Sequence, residues 1–208
     1  MPMTPETPAD ATARHDRWHE GWHTRARALP SPNHGLRPPG ATVDLAVVHS
    51  ISLPPGQYGG DEIERLFTNR LDWDAHPYFD LIRGAEVSAH FVIRRSGELL
   101  QFVSLLDRAW HAGPSQWQGR SNCNDFSVGI ELEGLEHTPF ELAQYDALAS
   151  LLRDIDTAWP LAQVVGHEHI APGRKQDPGK AFDWPLLARL TGRPASHFPP
   201  AALRDSNR

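Results

Sequence analysis

Short apolar runs separated by polar turns dominate the first half of the chain and predict β-strands. The run VDLAVVHS at 43–50 is almost wholly apolar and rich in valine, which is typical of a buried strand, here one that ends at His49. The runs SAHFVIRR and ELLQFVS flank Ser96 and Gly97. Two strand-like runs around a short turn predict a hairpin over 88–103.

Two later runs complete the predicted sheet. In DFSVGIELEG at 125–134, apolar residues alternate with small or acidic ones, which predicts a half-buried strand. Its polar face presents both Glu131 and Glu133, because residues two apart in a strand point the same way. AQVVG is a further short strand, and it delivers His167 at its end.

The strongest helical pattern is HTPFELAQYDALASLLRDIDTAWP at 137–160. We expect Thr138 at the N-cap, Pro139 in the first helical position and Glu141 completing a capping box. Pro160 stops the helix. Its apolar stripe follows the helical period through Leu142, Tyr145, Leu148, Leu152 and Ile155.

Two shorter helices are predicted on either side of this one. GDEIERLFTNR at 60–70 carries acidic residues in its first turn, and FDWPLLARLTG at 182–192 closes on Gly192. Since the hairpin makes the sheet mixed or antiparallel, the predicted fold is α/β: a single domain with a central mixed β-sheet flanked by helices.

The length of 208 residues suits one domain with a full core. Residues 1–20 are polar and interrupted by prolines, so we expect a disordered N-terminal extension. Residues 21–192 form the predicted domain, and residues 193–208 a flexible tail.

Composition excludes several classes of protein. Hydrophobic residues make up 39% and charged residues 22%, as in ordinary soluble globular proteins. The net charge of −6 and the lack of a basic run argue against nucleic acid as a partner. Cys123 is the single cysteine, which is typical of a reducing compartment. With no signal peptide and no apolar run of roughly 18 residues, we expect a cytoplasmic protein without a membrane partner.

Candidate chemistry concentrates in VVGHEHIAPGRKQDPG at 164–179. His49 and His167 each end a predicted strand, and Asp177 precedes a Pro-Gly turn that can aim its carboxylate back. Two histidines and one carboxylate leave tetrahedral Zn²⁺ a vacant fourth position, as in hydrolytic sites. Spacing alone leaves open a second interpretation, in which these histidines are hydrogen-bonded in the core or on the surface.

A zinc hydrolase also needs a base for the attacking water and a donor for the oxyanion. A carboxylate on the polar face of the 125–134 strand is a candidate for the first. Lys175, two residues before Asp177, is a candidate for the second.

Longer motifs favour the zinc site over the second interpretation, in which the histidines are only hydrogen-bonded. VVHSISLPPGQYGG, LFTNRLDWDAHPYF, VSAHFVIRRSGELLQFV, RAWHAGPSQWQGRSNCNDFSVGIELEG and GHEHIAPGRKQDPGKAFDW follow one another in this order. Together they closely resemble the AmpD-type 1,6-anhydro-N-acetylmuramoyl-L-alanine amidases, part of the zinc amidase and peptidoglycan-recognition fold family. The resemblance runs from about Gly21 to Gly192.

The resemblance implies a role for each central residue. The zinc ligands of the family fall on His49, His167 and Asp177. The glutamate that activates water falls on Glu131, and the lysine that stabilises the tetrahedral intermediate falls on Lys175.

The resemblance also places a substrate wall. The aromatic positions for sugar and peptide match Tyr78 in HPYF and Trp110 in RAWHAG. Where related enzymes often read VVHN, this chain has Ser50. If that asparagine holds the sugar, we expect the shorter hydroxyl of Ser50 to loosen or rearrange the contact.

Four other residues compete for these roles. His169 lies outside the ligand set of the family, so we expect a satisfied or exposed side chain. His90 and His111 lie inside family motifs but not at metal positions, which favours structural or substrate-lining roles. Glu133 shares a face with Glu131 and is the alternative base.

The implied activity is hydrolysis of the amide between the lactyl group of (1,6-anhydro-)N-acetylmuramic acid and L-alanine, in cytoplasmic peptidoglycan recycling. The expected partner is a small muropeptide, and we expect a monomer. Two alternatives stay open: an exported amidase of the same fold that cleaves the intact sacculus, and a peptidoglycan-binding module without catalysis. The latter modules typically lack part of the ligand set.

Overall fold

The computed structural model describes residues 17–199. In this range the strands are β1 (Trp18–His19), β2 (Trp22–His23), β3 (Arg27–Ala28), β4 (His34–Leu36), β5 (Leu45–Ile51), β6 (Phe91–Ile93), β7 (Leu99–Gln101), β8 (Asp107–Ala109), β9 (Gln116–Trp117), β10 (Arg120–Ser121), β11 (Ser127–Glu133) and β12 (Gln163–Gly166). The helices are α1 (Glu62–Phe67), α2 (Leu142–Ala158), α3 (His167–Ile170) and α4 (Trp184–Thr191). Short 3₁₀ turns lie at Pro77–Ile82, Cys123–Asp125 and Ala195–His197.

A six-stranded sheet in the order β12–β5–β11–β6–β7–β3 forms the centre of the fold. β12, β5, β11 and β6 run parallel, whereas β6 and β7 form the predicted antiparallel hairpin. The predicted α/β fold with a mixed sheet is therefore confirmed. The register sets Glu131 beside His49 and Gly166 beside Val48, so the carboxyl ends of three parallel strands share one edge.

Helices cover both faces of the sheet. α2 and α4 pack on one face, where Leu148 belongs to the same buried cluster as Ile130. α1 packs on the other, where Phe67 shares a cluster with Val92. Such double covering keeps water from the strands and leaves their carboxyl ends as the accessible edge.

The prediction of a half-buried strand at 125–134 is wrong, because all seven residues of β11 are buried. The second face is covered by side chains rather than by water. The His111 ring lies over Gly129, where an added Cβ would stand 2.3 Å from it. Glu133 is held by a buried ion pair with Arg94.

Helix α2 begins later than its sequence pattern predicts. Its N-cap is Glu141, whose N–H donates to Gln144 Oε1 at 3.0 Å. The prediction of Thr138 at the N-cap and Pro139 in the first helical position is therefore wrong. Phe140 is only 7% exposed and belongs to the main core, so core packing holds the preceding segment in a non-helical turn.

The N-terminal extension, expected to be disordered over 1–20, is packed where the structure describes it. Trp18 lies against the main hydrophobic core. Arg17 pairs with Asp154 of α2 at 2.7 Å. The remainder of this prediction, residues 1–16, lies outside the described residues.

The C-terminal segment differs from its prediction in the same way. Phe198 is 1% exposed and belongs to the core, so the chain is anchored at this point, although residues 194–196 are exposed. Residues 200–208 lie outside the described residues, and the domain limits 21–192 stay a prediction. Among the helices described, none combines the length and apolar character that a membrane crossing requires.

Candidate metal centre and active site

The three predicted ligands meet at the carboxyl edge of the sheet. His49 lies in β5, His167 opens α3 directly after β12, and Asp177 lies in the loop that follows. His49 Nδ1, His167 Nδ1 and Asp177 Oδ2 form a triangle with sides of 2.9, 3.0 and 3.0 Å. All three residues are buried. Groups separated by 118 and 128 positions in the chain thus share one point in space.

The donor atoms fit a metal ion. His167 Nε2 lies 3.0 Å from the carbonyl oxygen of Ala112. A carbonyl oxygen only accepts, so Nε2 carries the proton and Nδ1 keeps a lone pair. This lone pair faces Oδ2 of Asp177, a second acceptor, across 3.0 Å. Two buried acceptors so close attract a cation, and an ion at roughly 2.0–2.2 Å from each can cap a triangle of this size.

The electrostatics favour the same interpretation. Burial lowers the pKa of His49 to about 4, although Asp177 opposes the change. Burial acts on Asp177 in the upward direction, but His167 and His49 outweigh it and hold the pKa of Asp177 well below its usual range. At neutral pH the centre therefore offers a neutral imidazole at His49 and an ionised carboxylate, the forms that bind a metal.

Glu131 lies next to the triangle, because β11 pairs with β5 in parallel and sets it opposite His49. The residue is 9% exposed, and its Oε2 has no hydrogen-bond partner among the described residues. Burial raises the pKa of Glu131 well above its usual value, Asp177 adds to the rise, and Lys175 opposes it. A buried, unpartnered carboxyl group beside a metal ligand set has the properties of a general base.

A cavity of about 420 Å³ opens over the triangle. This volume lies in the range of small-molecule sites, about 300–1,000 Å³. Its lining includes every site residue predicted from the sequence, namely His49, Ser50, Tyr78, Trp110, Glu131, His167, Lys175 and Asp177. Ser50 Oγ is buried there without a hydrogen-bond partner among the described residues.

His169 does not reach the triangle. Its Nδ1 accepts a hydrogen bond from the N–H of Gly166 at 2.9 Å. Its ring meets Trp184 edge-on, with the ring centroids 5.7 Å apart. Both its backbone bond and its ring contact therefore direct His169 away from the ligand set.

Glu133 is not available as a base, since its carboxylate already has three donors. Oε1 accepts from Arg94 at 2.9 Å and from the N–H of Gly59 at 2.7 Å. Oε2 accepts from the N–H of Arg95 at 3.1 Å. Glu133 therefore fixes the loop before α1 onto the sheet.

His90 has a structural environment. Its Nδ1 accepts from the N–H of Gly129 at 3.0 Å, and its Nε2 lies 3.2 Å from the carbonyl oxygen of Asp107. Burial, together with the charge of Arg37, lowers the pKa of His90 to about 3. The ring is a neutral link between strands and lies outside the cavity lining.

His111 lies closer to the metal centre than its motif suggests. Its Nδ1 is 2.9 Å from His49 Nε2, and its Nε2 is 3.1 Å from Ser127 Oγ. The sequence predicted a structural or substrate-lining role for His111, and the residue does line the cavity, but its contact with His49 was not predicted. The available signal was Gly129, the residue without a side chain on the polar face of β11, which makes room for the imidazole.

Fold and site together define a class of protein. A buried N,N,O ligand triangle, a free carboxyl group and a lysine share one cavity at the carboxyl edge of a mixed sheet. Such a donor set beside a free carboxyl group is typical of metal-dependent hydrolases.

Comparison with known proteins identifies the family. A family model described as N-acetylmuramoyl-L-alanine amidase matches residues 39–180, and the chain belongs to this family of enzymes. The 1,6-anhydro-N-acetylmuramyl-L-alanine amidase AmpD of Escherichia coli K12 is 52% identical over 176 residues, 84% of this chain and 96% of that protein. The resemblance inferred from the sequence motifs is thereby confirmed.

Solved structures agree with this assignment. A crystal structure of a selenomethionine AmpD derivative has a TM-score of 0.81 at 50% identity, covering 83% of this chain and 97% of that chain. The E. coli amidase AmiD, solved in complex with the substrate anhydro-N-acetylmuramic acid-L-Ala-D-γ-Glu-L-Lys, has a TM-score of 0.53 at 30% identity. That match covers 74% of this chain and 60% of AmiD.

Proposed function

We propose that this enzyme is a zinc-dependent amidase that cleaves the amide between the lactyl group of 1,6-anhydro-N-acetylmuramic acid and L-alanine of the stem peptide. The observation that carries the proposal is the triangle of His49, His167 and Asp177, with sides of 2.9–3.0 Å, beside the unpartnered Glu131. Two imidazole nitrogens and one carboxylate oxygen are a donor set typical of catalytic zinc.

When bound by these residues, zinc supplies Lewis acidity and lowers the pKa of a water molecule toward about 7. Glu131 takes the proton of the attacking water, for which its free and buried Oε2 is available. It then passes this proton to the departing nitrogen of L-alanine, as a general base that becomes a general acid.

Lys175 supplies the second catalytic charge. It lines the same cavity, and its charge lowers the pKa of Glu131. An ammonium group here donates to the amide oxygen as negative charge builds on it during attack. Because this charge is absent in the substrate, the interaction favours the transition state.

The proposed substrate is a soluble muropeptide. AmiD, a relative at 30% identity, is solved with an anhydromuramoyl peptide. Tyr78 and Trp110 offer aromatic surface for the sugar ring, and Ser50 offers a hydroxyl that has no partner among the residues described. A cavity of about 420 Å³ suits one sugar with the first residues of a peptide.

Cytoplasmic location and a monomeric state belong to the same proposal. Cell fractionation tests the first and sedimentation of the purified chain tests the second. Protein found in the periplasm would favour the alternative of a sacculus-cleaving amidase. A peptidoglycan-binding module without catalysis is disfavoured by the complete ligand set.

The decisive experiment incubates zinc-loaded protein with 1,6-anhydro-N-acetylmuramoyl-peptide and follows release of the free stem peptide by mass spectrometry. Intact sacculi are tested in parallel, and Glu131→Gln, loaded with zinc to the same level, is the control. We expect peptide release from the soluble muropeptide by the wild type alone. No release by the zinc-loaded wild type, or faster cleavage of sacculi, would overturn the proposal.

A further inference from the structure

We propose that one pair of residues, His111 and Ala112, orients both histidine ligands, and that Asn124 is the positioning residue that holds this pair. The inference rests on the metal centre of the proposed function. It concerns how tightly the centre binds its ion, a property that is measured separately from amide hydrolysis.

The outer nitrogens of both ligands are held by neighbouring residues of one loop. His49 Nε2 lies 2.9 Å from His111 Nδ1. His167 Nε2 lies 3.0 Å from the carbonyl oxygen of Ala112. The group that holds the outer nitrogen of a histidine decides which nitrogen is protonated and how the ring is turned. The short backbone segment at His111 and Ala112 therefore determines the orientation of both imidazole rings.

On the His49 side, one proton order leaves Nδ1 free to bind a metal, and Ser127 Oγ is compatible with it because a hydroxyl can accept as well as donate. When His111 Nε2–H donates to Ser127 Oγ, 3.1 Å away, its Nδ1 is left as an acceptor. His49 then carries its proton on Nε2, and the lone pair of its Nδ1 points into the triangle. Gly129 admits the His111 ring, because a Cβ there would stand 2.3 Å away.

A single amide oxygen holds the loop itself. Asn124 Oδ1 accepts the N–H of His111 at 3.1 Å and the N–H of Ala112 at 2.8 Å. Asn124 lies in the 3₁₀ turn just before β11 and does not line the cavity. It touches neither ligand, so its effect on the metal passes through the loop.

Arg174 reinforces the same carbonyl group. Its Nη2 donates to the carbonyl oxygen of Ala112 and to that of Pro114, each at 2.7 Å. Arg174 precedes Lys175 in the loop that carries Asp177. The loop that orients the two histidines is thereby tied to the loop that supplies the third ligand.

The first test measures the zinc dissociation constant by competition with a chromophoric chelator for wild type, His111→Leu and His111→Asn. The Asn side chain places Oδ1 near the position of Nδ1 and still accepts from His49, whereas Leu does not. We expect His111→Leu to weaken zinc binding about 10–100-fold, the usual effect of removing such a support, and His111→Asn to stay close to wild type. His34→Leu, at an exposed site in β4, is the control for the substitution and should change nothing.

The second test uses Asn124→Ala and Asn124→Asp, of which only Asp keeps an acceptor for the two N–H groups. We expect weaker zinc binding by Asn124→Ala, recovery in Asn124→Asp, and an altered visible spectrum of the cobalt-substituted Ala variant. Thermal unfolding of the metal-free proteins shows that each variant is folded. This pair decides the matter if His111→Leu does not fold.

The outcomes separate the two proposals. Zinc binding by His111→Leu and Asn124→Ala as tight as in wild type would overturn the orienting role. Equal losses in the truncating and the acceptor-keeping variants would overturn it as well, since packing alone would then explain them. A wild type that binds no zinc would instead remove the metal centre on which the proposed function depends.

Discussion

Glu131 and Glu133 lie on the same face of one strand, two residues apart, and both are buried, at 9% and 2% exposure. Their environments are nevertheless opposite. Glu133 accepts from Arg94, Gly59 and Arg95. Glu131 has an oxygen with no hydrogen-bond partner in the part of the chain that the structure describes, and it lines the cavity beside the predicted metal ligands.

The difference shows where folding and function compete. A buried carboxylate is stabilised only when donors surround it, and Glu133 meets this requirement. Glu131 does not, so its burial raises its pKa and destabilises its ionised form. A folded protein tolerates such a group where chemistry needs it, which makes Glu131 the candidate for the functional acid of the two.

The largest effect is expected when the carboxyl group of Glu131 is removed. Glu131→Gln should lower kcat for stem-peptide release about 10²–10⁴-fold, because the amide cannot take up the proton of the attacking water. Bound zinc, measured by elemental analysis, should stay at the wild-type level. A variant with near-normal kcat would remove Glu131 from this role.

Removing the carboxylate of Glu133 should lower the stability of the protein and leave its turnover unaffected. Glu133→Ala should lower the free energy of unfolding by about 3 kcal/mol, because Arg94 loses a buried partner. We place the loss at the low end of the range for buried pairs, since Arg94 keeps Glu64 at 2.8 Å. Urea unfolding measures it. An unchanged midpoint, or a loss of kcat in folded protein as large as that of Glu131→Gln, contradicts the assignment.

The stability of the metal-free protein, measured over a pH series, tests the effect of burial on the ionisation of Glu131. The folded pKa of Glu131 lies above its unfolded value, so its stabilising contribution is complete below about pH 4.3 and is lost as the pH rises through the folded pKa. Glu131→Gln cannot ionise and should therefore be more stable than wild type at pH 8, with little difference at pH 4. Each kcal/mol corresponds to about 2–4 °C in Tm for a chain of this size. Equal shifts at both pH values would show that ionisation is not the cause.

The smallest effect is expected at a neutral group, the hydroxyl of Ser50. Ser50 Oγ, like Glu131 Oε2, is buried beside the cavity without a hydrogen-bond partner within residues 17–199. Ser50→Ala should leave Tm unchanged or slightly higher, and raise KM for the muropeptide roughly 2–10-fold, the equivalent of one neutral hydrogen bond. A lower Tm with unchanged KM would mean that this hydroxyl supports the fold rather than the substrate.

Local pattern was sufficient for most elements of the fold. Strand β5, the hairpin of β6 and β7, and helix α4 with Gly192 as its C-cap follow the predicted positions. The start of α2 was predicted incorrectly because burial of Phe140 overrides the capping signal at Thr138. Capping rules consider only the residues of the helical segment itself. A contact with the core changes which of two possible helix starts is more stable.

For the candidate site as well, the sequence predicted the residues but not all of their contacts. Motifs indicated His49, His167, Asp177, Glu131 and Lys175, and the structure brings them into one cavity. The contact between His49 and His111, 62 positions away, was not predicted, because Gly129 indicates only that the polar face of β11 has room for a side chain and not which one fills it.

The sequence by itself therefore determined the alternation that turns two acids toward one face of β11 and the residue types able to bind a metal. Only the tertiary structure showed why Glu131 stays free, how the rings of His49 and His167 are turned toward one point, and that His111 supports His49. The physical reason is that partnership depends on groups distant in the chain. Arg94, 39 positions before Glu133, leaves no trace in the local pattern of β11, yet it makes that acid a structural one.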